Sequence, residues 1–139
     1  MHAIYVGIRT PGTTSQLRAD TLRALLPSAD WNLIDTDVPF RRHGRLMRSL
    51  AFRLRVGTAV ADMNREVLRQ LGTQRYSLAW VDKGVCLWPE TIRTIRGQCD
   101  KMVYYTPDTS FFDNSSRFVN ATIDEYDAIV TTKSFELGE

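Results

Sequence analysis

The chain has 139 residues, of which 43% are hydrophobic and 24% charged, a composition typical of an ordinary globular domain rather than a disordered or fibrous protein. The formal net charge of +2 is too small to indicate a nucleic-acid partner, and no apolar run approaches the roughly 18 residues of a membrane span. Two cysteines are too few for a disulfide framework, and a first strand at His2 leaves no room for a leader sequence, so we expect a single cytoplasmic domain over residues 1–139.

Five short apolar runs alternate with helical patterns along the chain. They predict strands at residues 2–8, 31–35, 76–81, 101–105 and 127–132. Helices are predicted after a cap at Thr14 or Ser15, across 40–71 with a break near Gly57, from Pro89 to Gly97, after a cap at Ser115 or Ser116, and from Lys133 onward. The run at 31–35 is short and polar, which suits the edge of a sheet.

The apolar residues of each predicted helix indicate which side faces the sheet. The first helix has an apolar side of Leu17, Leu22, Leu25 and Leu26. Within 40–71, the first helix has an inner face of Leu46, Met47, Leu50, Ala51 and Leu54, and the second has Val60, Met63, Val67 and Leu71. We therefore expect all three groups to be buried, and the helices together to cover both faces of the sheet.

The alternation of strands and helices predicts a three-layer α/β sandwich on a five-stranded parallel sheet, of the Rossmann or flavodoxin-like class. Two strand orders are compatible with this class. We favour 2-1-3-4-5 because it brings the loops after strands one, three and four into one crevice. The order 3-2-1-4-5 would leave Asp82 two strand spacings, roughly 10 Å, from the first loop.

Polar residues follow three of the predicted strands and form the candidate site. Thr13, Thr14 and Ser15 precede the first helix, where they could bind a hydroxyl or phosphate or simply cap the helix. Asp82 and Lys83 end the third strand, and Asp108 follows the fourth, in line with the rule that ligands bind beyond the carboxyl ends of parallel strands. His2 and His43 lie apart from other metal-ligand residues, so we expect no metal site.

Arginine is concentrated between Arg41 and Arg55. These arginines share one predicted helix with Phe52, which a purely solvated face would not require. Arginine stems with a central aromatic ring suit an anionic bilayer surface or a phosphorylated lipid acceptor. A solvated helix, or one that packs on another domain, remains an alternative.

Several motifs resemble, in order, the amino-terminal lobe of the CgeB-like glycosyltransferases. They comprise Arg18 to Leu26, Asn64, Trp80-Val81-Asp82-Lys83-Gly84, Pro89 to Ile92, Tyr104 to Asp108, and Tyr126 to Lys133. The resemblance covers nearly the whole chain. The family is similar to the two-lobed GT-B enzymes, in which two Rossmann-like lobes close over a cleft.

The resemblance implies that this lobe receives the sugar acceptor, while a carboxyl-terminal lobe, absent from this sequence, holds the nucleotide-sugar donor. It implies no cofactor in this lobe, its own second lobe as a partner, and little activity for the fragment alone. Asp108 is the candidate general base that accepts the acceptor's hydroxyl proton, with a turn-forming aspartate as the alternative. The predicted acceptor-binding residues are Thr13, Thr14, Ser15, Arg18, Asp82 and Lys83, although Arg18 could be a surface charge and Lys83 a solvated turn residue.

A second hypothesis is a stand-alone binding or regulatory domain of flavodoxin-like type. A phospho-accepting receiver would carry a carboxylate where the first strand ends, and Arg9 lies there instead. A flavin-binding domain remains compatible with the predicted fold.

Overall fold

The apolar runs form five parallel strands, as the sequence predicts. The computed structural model describes residues 1–107 and 116–133. Its elements are β1 (His2–Gly7), α1 (Thr14–Leu25), β2 (Asp30–Asp35), α2 (Asp37–Arg41), α3 (Arg45–Leu54), α4 (Thr58–Leu71), β3 (Tyr76–Asp82), α5 (Pro89–Gly97), β4 (Cys99–Thr106), α6 (Arg117–Asn120), a 3-10 turn (Ile123–Glu125) and β5 (Ala128–Thr131). Asp108 and the predicted helix after Lys133 lie outside the described residues.

The strand order is β2-β1-β3-β4-β5, which confirms the flavodoxin-like prediction. Ile4 on β1 pairs with Ala79 on β3, which in turn pairs with Met102 on β4, and all three are fully buried. The polar strand β2 lies at one edge, also as predicted. The carboxyl ends of β1 and β3 flank the point where the chain reverses its direction of winding, which is where such sheets bind ligands.

One face of the sheet is covered by α4 and α5. The predicted inner residues of α4, from Val60 to Leu71, are buried against Ile4, Val6 and Ala79 on the strands. Ile92 and Ile95 from α5 join the same cluster. These helices therefore carry the main hydrophobic core, and the periodicity of their sequences predicts it correctly.

The opposite face is covered by α1, but only partly through its leucines. Leu22 and Leu26 are half-buried and Ser15 and Ala19 are buried, whereas Leu17 and Leu25 are 67% and 70% exposed, so the predicted apolar side is wrong for these two. Polar contacts of Ser15 and Arg18 with the sheet fix the rotation of α1. Leu17 and Leu25 consequently face solvent.

The described residues cover this second face only in part, and the predicted helix after Lys133 lies outside them. Among the described residues only α1 packs there. Leu78, Trp80 and Val103 are half-buried, and Ala128 and Val130 on β5 are exposed. Within the described ranges the central strands are thus covered on both sides, while β5 at the edge is largely exposed.

Residues 37–71 form three helices rather than two, and α3 buries only Ala51 of its predicted inner face. Leu46, Leu50 and Leu54 are exposed, and the buried residue of this helix is Ala51. Arg48, one of the clustered arginines, is half-buried. The reason is that α3 packs on α4, which already covers the sheet at this point. None of the helices in the described ranges is long and apolar enough to cross a lipid bilayer.

Candidate functional site

Asp82, at the carboxyl end of β3, is the centre of a closed polar cluster. Arg18 on α1 donates from Nε to Asp82 Oδ2 at 2.7 Å and from Nη2 to Oδ1 at 3.2 Å. The Tyr5 hydroxyl donates to Oδ2 at 2.6 Å. The Asp82 side chain is fully buried and that of Arg18 is 18% exposed, so water hardly reaches the pair.

Two further contacts enclose this cluster. Ser15 Oγ lies 2.9 Å from the Tyr5 hydroxyl. The Arg18 guanidinium lies 3.8 Å from the centroid of the Tyr105 ring, a cation–π contact, and Tyr105 stacks on Trp80 at 6.0 Å. Charge pairing, hydrogen bonds and aromatic stacking therefore all hold Arg18 in one position.

The protonation states of this cluster follow from its burial. Burial raises the pKa of the Tyr5 hydroxyl, and its hydrogen bond to Asp82 raises it further. Burial disfavours the charged form of Arg18, but the hydrogen bonds and charge of Asp82 outweigh this and raise the pKa of Arg18. Arg18 is thus a permanent cation, and Tyr5 stays neutral well above neutral pH.

Gly7, at the end of β1, makes room for this cluster. A Cβ atom at this position would lie 2.8 Å from Asp82 Cβ and 2.9 Å from Tyr5 Cε1. Such distances are far inside van der Waals contact. The close approach of β1 to Asp82 therefore requires glycine.

A cavity of about 410 Å³ opens at the carboxyl edge of the sheet, between the ends of the strands and the α2–α4 segment. We call it the switch-point cavity. Its walls are largely apolar, with Ile8, Phe40, Phe52, Met63, Val85 and Leu87 among them. Its polar lining includes Asp37, Arg55, Lys83 and Cys86. Apolar walls with a few polar groups are typical of a small-molecule site.

Two of these lining residues have an unusual backbone. Arg55 and Lys83 have φ angles of 56° and 66°, and they are the only non-glycine residues with positive φ in the described ranges. The Lys83 amide donates to Tyr105 O at 2.8 Å, and its carbonyl accepts from the Tyr104 hydroxyl at 2.9 Å, which holds this conformation in place. Left-handed backbone at a side chain other than glycine costs energy and concentrates at functional sites.

Arg55 is held against the cavity wall by weak contacts. Its guanidinium lies 4.6 Å from the centroid of the Phe52 ring, and Nη1 lies 3.8 Å from Cys86 Sγ. It forms no ion pair with any residue that the structure describes. Most of its five donors therefore remain able to bind an anion.

The loop between β3 and α5, which forms one wall, is positioned by Asn64 on α4. Asn64 Nδ2 donates to Val60 O at 2.9 Å and to Cys86 O at 3.0 Å. Its Oδ1 accepts from the Trp88 amide and the Thr91 hydroxyl, both at 2.8 Å. This fully buried carboxamide uses all its hydrogen-bonding groups and caps α5, whose own N-cap side chain cannot.

Cys86 is part of the cavity wall and does not have the properties of a reactive nucleophile. Burial raises the pKa of its thiol, and the nearby Arg55 offsets this only in part. Asp37 is occupied too, since it accepts from Thr10 Oγ1 at 2.8 Å and pairs with Arg41 at 3.1 Å. The Asp37 carboxylate is therefore already paired, whereas Arg55 has no ion-pair partner among the described residues.

The structure separates the predicted site residues into three places. Ser15, Arg18 and Asp82 meet in the closed cluster, and both Lys83 and Asp82 border the cavity. Thr13 caps α1 by accepting from the Gln16 amide, so the predicted cap at Thr14 or Ser15 is wrong. Thr14 is exposed beside a shallow depression of about 300 Å³. Asp108 lies outside the described residues, and its role stays a prediction.

Sequence reasoning missed Tyr5, Asn64 and Arg55 as parts of the site. Tyr5 carries a hydroxyl group within a buried strand, and a buried tyrosine hydroxyl usually has a hydrogen-bond partner. Asn64 interrupts the apolar face of α4, and a polar side chain on a buried face usually has hydrogen-bond partners. The position of Arg55 had no such signal. No group of three or more His, Cys, Asp or Glu side chains in the described part of the chain is arranged to hold a metal ion.

Comparison of the chain with protein-family models, with curated proteins and with solved structures finds no match. The argument for function therefore depends on the site and on the sequence motifs.

Proposed function

We propose that the domain is the acceptor-binding lobe of a two-lobed glycosyltransferase and that the acceptor binds in the switch-point cavity. Such an enzyme moves a sugar from a nucleotide-sugar to an acceptor hydroxyl. The motif resemblance supports the enzyme class. The position of the cavity at the switch point supports the binding site, because ligands of such sheets bind there.

The observation that carries this proposal is the placement of Arg55 and Lys83. Both have left-handed backbones, and both line the largely apolar switch-point cavity. Two cations over an apolar surface select a ligand with an anionic group and an apolar portion. We therefore propose an acceptor of this chemical class, with its phosphate or carboxylate against the two cations.

The remaining residues have supporting roles in this proposal. The Asp82 carboxylate already accepts from Arg18 and Tyr5, so it positions the neighbouring Lys83 rather than contacting the acceptor. Asp108 remains our candidate for the general base that takes the hydroxyl proton during transfer. The donor nucleotide-sugar would bind a facing second lobe.

A water-soluble amphiphile pair tests the cavity. We expect octyl phosphate to bind and octyl glucoside, which has a similar chain and no charge, to bind at least about tenfold more weakly. Arg55→Gln and Lys83→Gln should each weaken octyl phosphate binding by about tenfold or more, since a hydrogen bond to a charged group contributes roughly 1.5–3 kcal/mol. Arg23→Gln, on the exposed side of α1, is the matched control.

Cys86 reports occupancy of the same cavity. In a Cys99→Ser background it is the only thiol, and octyl phosphate should slow its alkylation. Equal binding of the two amphiphiles, or variants that bind like the parent, would contradict the proposed site.

The assignment of the lobes has its own test. Transfer requires donor and acceptor to be held together in a closed cleft, which contributes roughly 7–11 kcal/mol, and one lobe supplies one wall. Calorimetry with common nucleotide-sugars should therefore show no better than millimolar binding to this chain, and no transfer. Micromolar affinity for a nucleotide-sugar would mean that the lobes are assigned the wrong way round.

The cavity also favours a second candidate, a flavin-binding domain of flavodoxin-like type. Phe40 and Phe52 line the cavity at the position where this fold holds a flat cofactor. Incubation with flavin followed by desalting distinguishes the two candidates. Retained visible absorbance would favour the flavin domain over the transferase lobe.

A further inference from the structure

We propose that α3 docks the domain onto an anionic lipid bilayer. The apolar residues of this helix recur at a spacing of four, and each is exposed: Leu46 by 74%, Leu50 by 45% and Leu54 by 59%. Met47, beside them, is 46% exposed. Together they form an apolar stripe along the whole length of α3, which we call the α3 stripe.

The α3 stripe is available because α3 meets α4 through a different side. Ala51 is the buried residue of the helix, and Arg48 is half-buried next to it. Ala51 adjoins the stripe on the helix surface, so the stripe borders the packing side but is not covered by α4. Docking through the stripe would therefore require no rearrangement of the core.

The charge around the stripe indicates an anionic partner. Residues 38–61 contain no Asp or Glu, and six arginines: Arg41, Arg42, Arg45, Arg48, Arg53 and Arg55. Arg45 and Arg53 are exposed and form no ion pair with any described residue. The rest of the chain is acidic, with 12 Lys and Arg against 16 Asp and Glu, although the whole chain has a net charge of +2.

Charge and shape favour a bilayer over a second copy of the chain. A symmetric dimer through α3 would place two arginine-rich helices side by side, which charge repulsion opposes. A strongly amphipathic helix of low mean hydropathy, with arginines on its polar side, suits the interface of an anionic membrane. The apolar stripe would enter the boundary of headgroups and chains, with the arginines at the phosphates.

The docking is tested by vesicle flotation of the whole chain. We expect binding to phosphatidylcholine vesicles that contain about 30% phosphatidylserine, and at least about tenfold weaker binding to pure phosphatidylcholine. Leu46→Ser with Leu54→Ser should remove binding to both. Arg45→Glu with Arg53→Glu should remove the preference for anionic vesicles.

Matched variants on other elements control for exposure and charge. Leu17→Ser with Leu25→Ser removes two leucines of similar exposure from α1, and Arg23→Glu with Arg75→Glu makes the same change of charge away from α3. Both should bind vesicles like the parent chain. Urea unfolding should show that the α3 variants keep the parent's stability, because the altered side chains are exposed.

Three results would overturn the proposal. The first is that the parent chain binds anionic and neutral vesicles equally well, and that Arg45→Glu with Arg53→Glu does not change this binding. The second is loss of binding in the α1 control as large as in the α3 variant. The third is a dimer by light scattering that Leu46→Ser with Leu54→Ser dissociates, without vesicle binding, which would assign the stripe to a second copy.

Discussion

The Arg18 guanidinium lies 2.7 Å from the Asp82 carboxylate, across 64 positions of sequence. This pair joins α1, on one face of the sheet, to the end of the central strand β3. Neither residue gains this contact from local structure. The relationship between α1 and the site edge therefore depends on a buried charge pair rather than on the leucines of the helix.

Asp82→Asn should be strongly destabilising. The change leaves the partly buried Arg18 cation without its counter-charge, which typically costs about 3–5 kcal/mol. Urea unfolding measures the loss. The exposed pair Arg75–Asp100 has similar short contacts and supplies the control. We expect Asp100→Asn to cost less than about 1 kcal/mol, and equal losses would contradict the structural role of Asp82.

The Tyr5 hydroxyl should make stability sensitive to alkaline pH. Its pKa in the folded chain is raised by burial and by Asp82, so above roughly pH 10 the unfolded chain loses this proton while the folded chain keeps it. The stabilisation is therefore complete below the ordinary tyrosine pKa and is lost as pH rises beyond it.

Tyr5→Phe removes this titration. Urea unfolding of the variant should show a shallower loss of stability above about pH 10 than the parent, together with a lower stability near neutral pH from the missing hydrogen bond. Parallel curves for the two proteins would contradict the assignment. Burial also raises the pKa of Tyr126, so part of the alkaline loss should remain in the variant.

The fold was predictable because the inner strands contain nearly continuous apolar runs. Runs such as Tyr76 to Val81 identify buried parallel strands, and the polar residues at their ends favoured the correct order. The sides of α1 and α3 were not predictable in the same way. Periodicity shows that a helix is amphipathic, but it cannot show whether a place on the sheet is left for its apolar side.

The candidate site was only partly predictable for a related reason. Arg18, Asp82 and Lys83 were identified at strand and helix ends, but their pairing joins residues far apart in sequence. The sequence does not show that Lys83 belongs to the cavity and Asp82 to the closed cluster. Alternation places successive residues on opposite faces, and the left-handed backbone at Lys83 has no sequence signal.

Asn64→Ala should destabilise the cavity wall. The Trp88 amide and the Thr91 hydroxyl would lose their acceptor, and the Cys86 carbonyl its donor, at about 1–3 kcal/mol for each buried group left unsatisfied. Hydrogen exchange at the Trp88 amide should accelerate with the loss of global stability. Asn120→Ala, at an exposed position of α6, is the control and should stay within about 0.5 kcal/mol of the parent.

Lys83→Gly should separate stability from ligand binding. Lys83 has a φ of 66°, which glycine adopts without strain, so the change should stabilise the fold by up to about 1 kcal/mol in urea unfolding. It also removes a cation from the cavity, so binding of octyl phosphate should weaken by about tenfold or more.

Arg55→Gly should behave like Lys83→Gly, because Arg55 has a φ of 56° and lines the same cavity.

Lys101→Gly provides the opposite control. Lys101 is an exposed residue within β4, where glycine costs roughly 0.5–1 kcal/mol and no cavity cation is lost. If the strained backbone serves ligand binding, glycine at Lys83 or at Arg55 should both raise the stability of the fold and lower the affinity for octyl phosphate. If the two glycine variants lose stability as Lys101→Gly does, the left-handed conformations carry no strain, and the main reason for assigning the cavity to an anionic ligand fails.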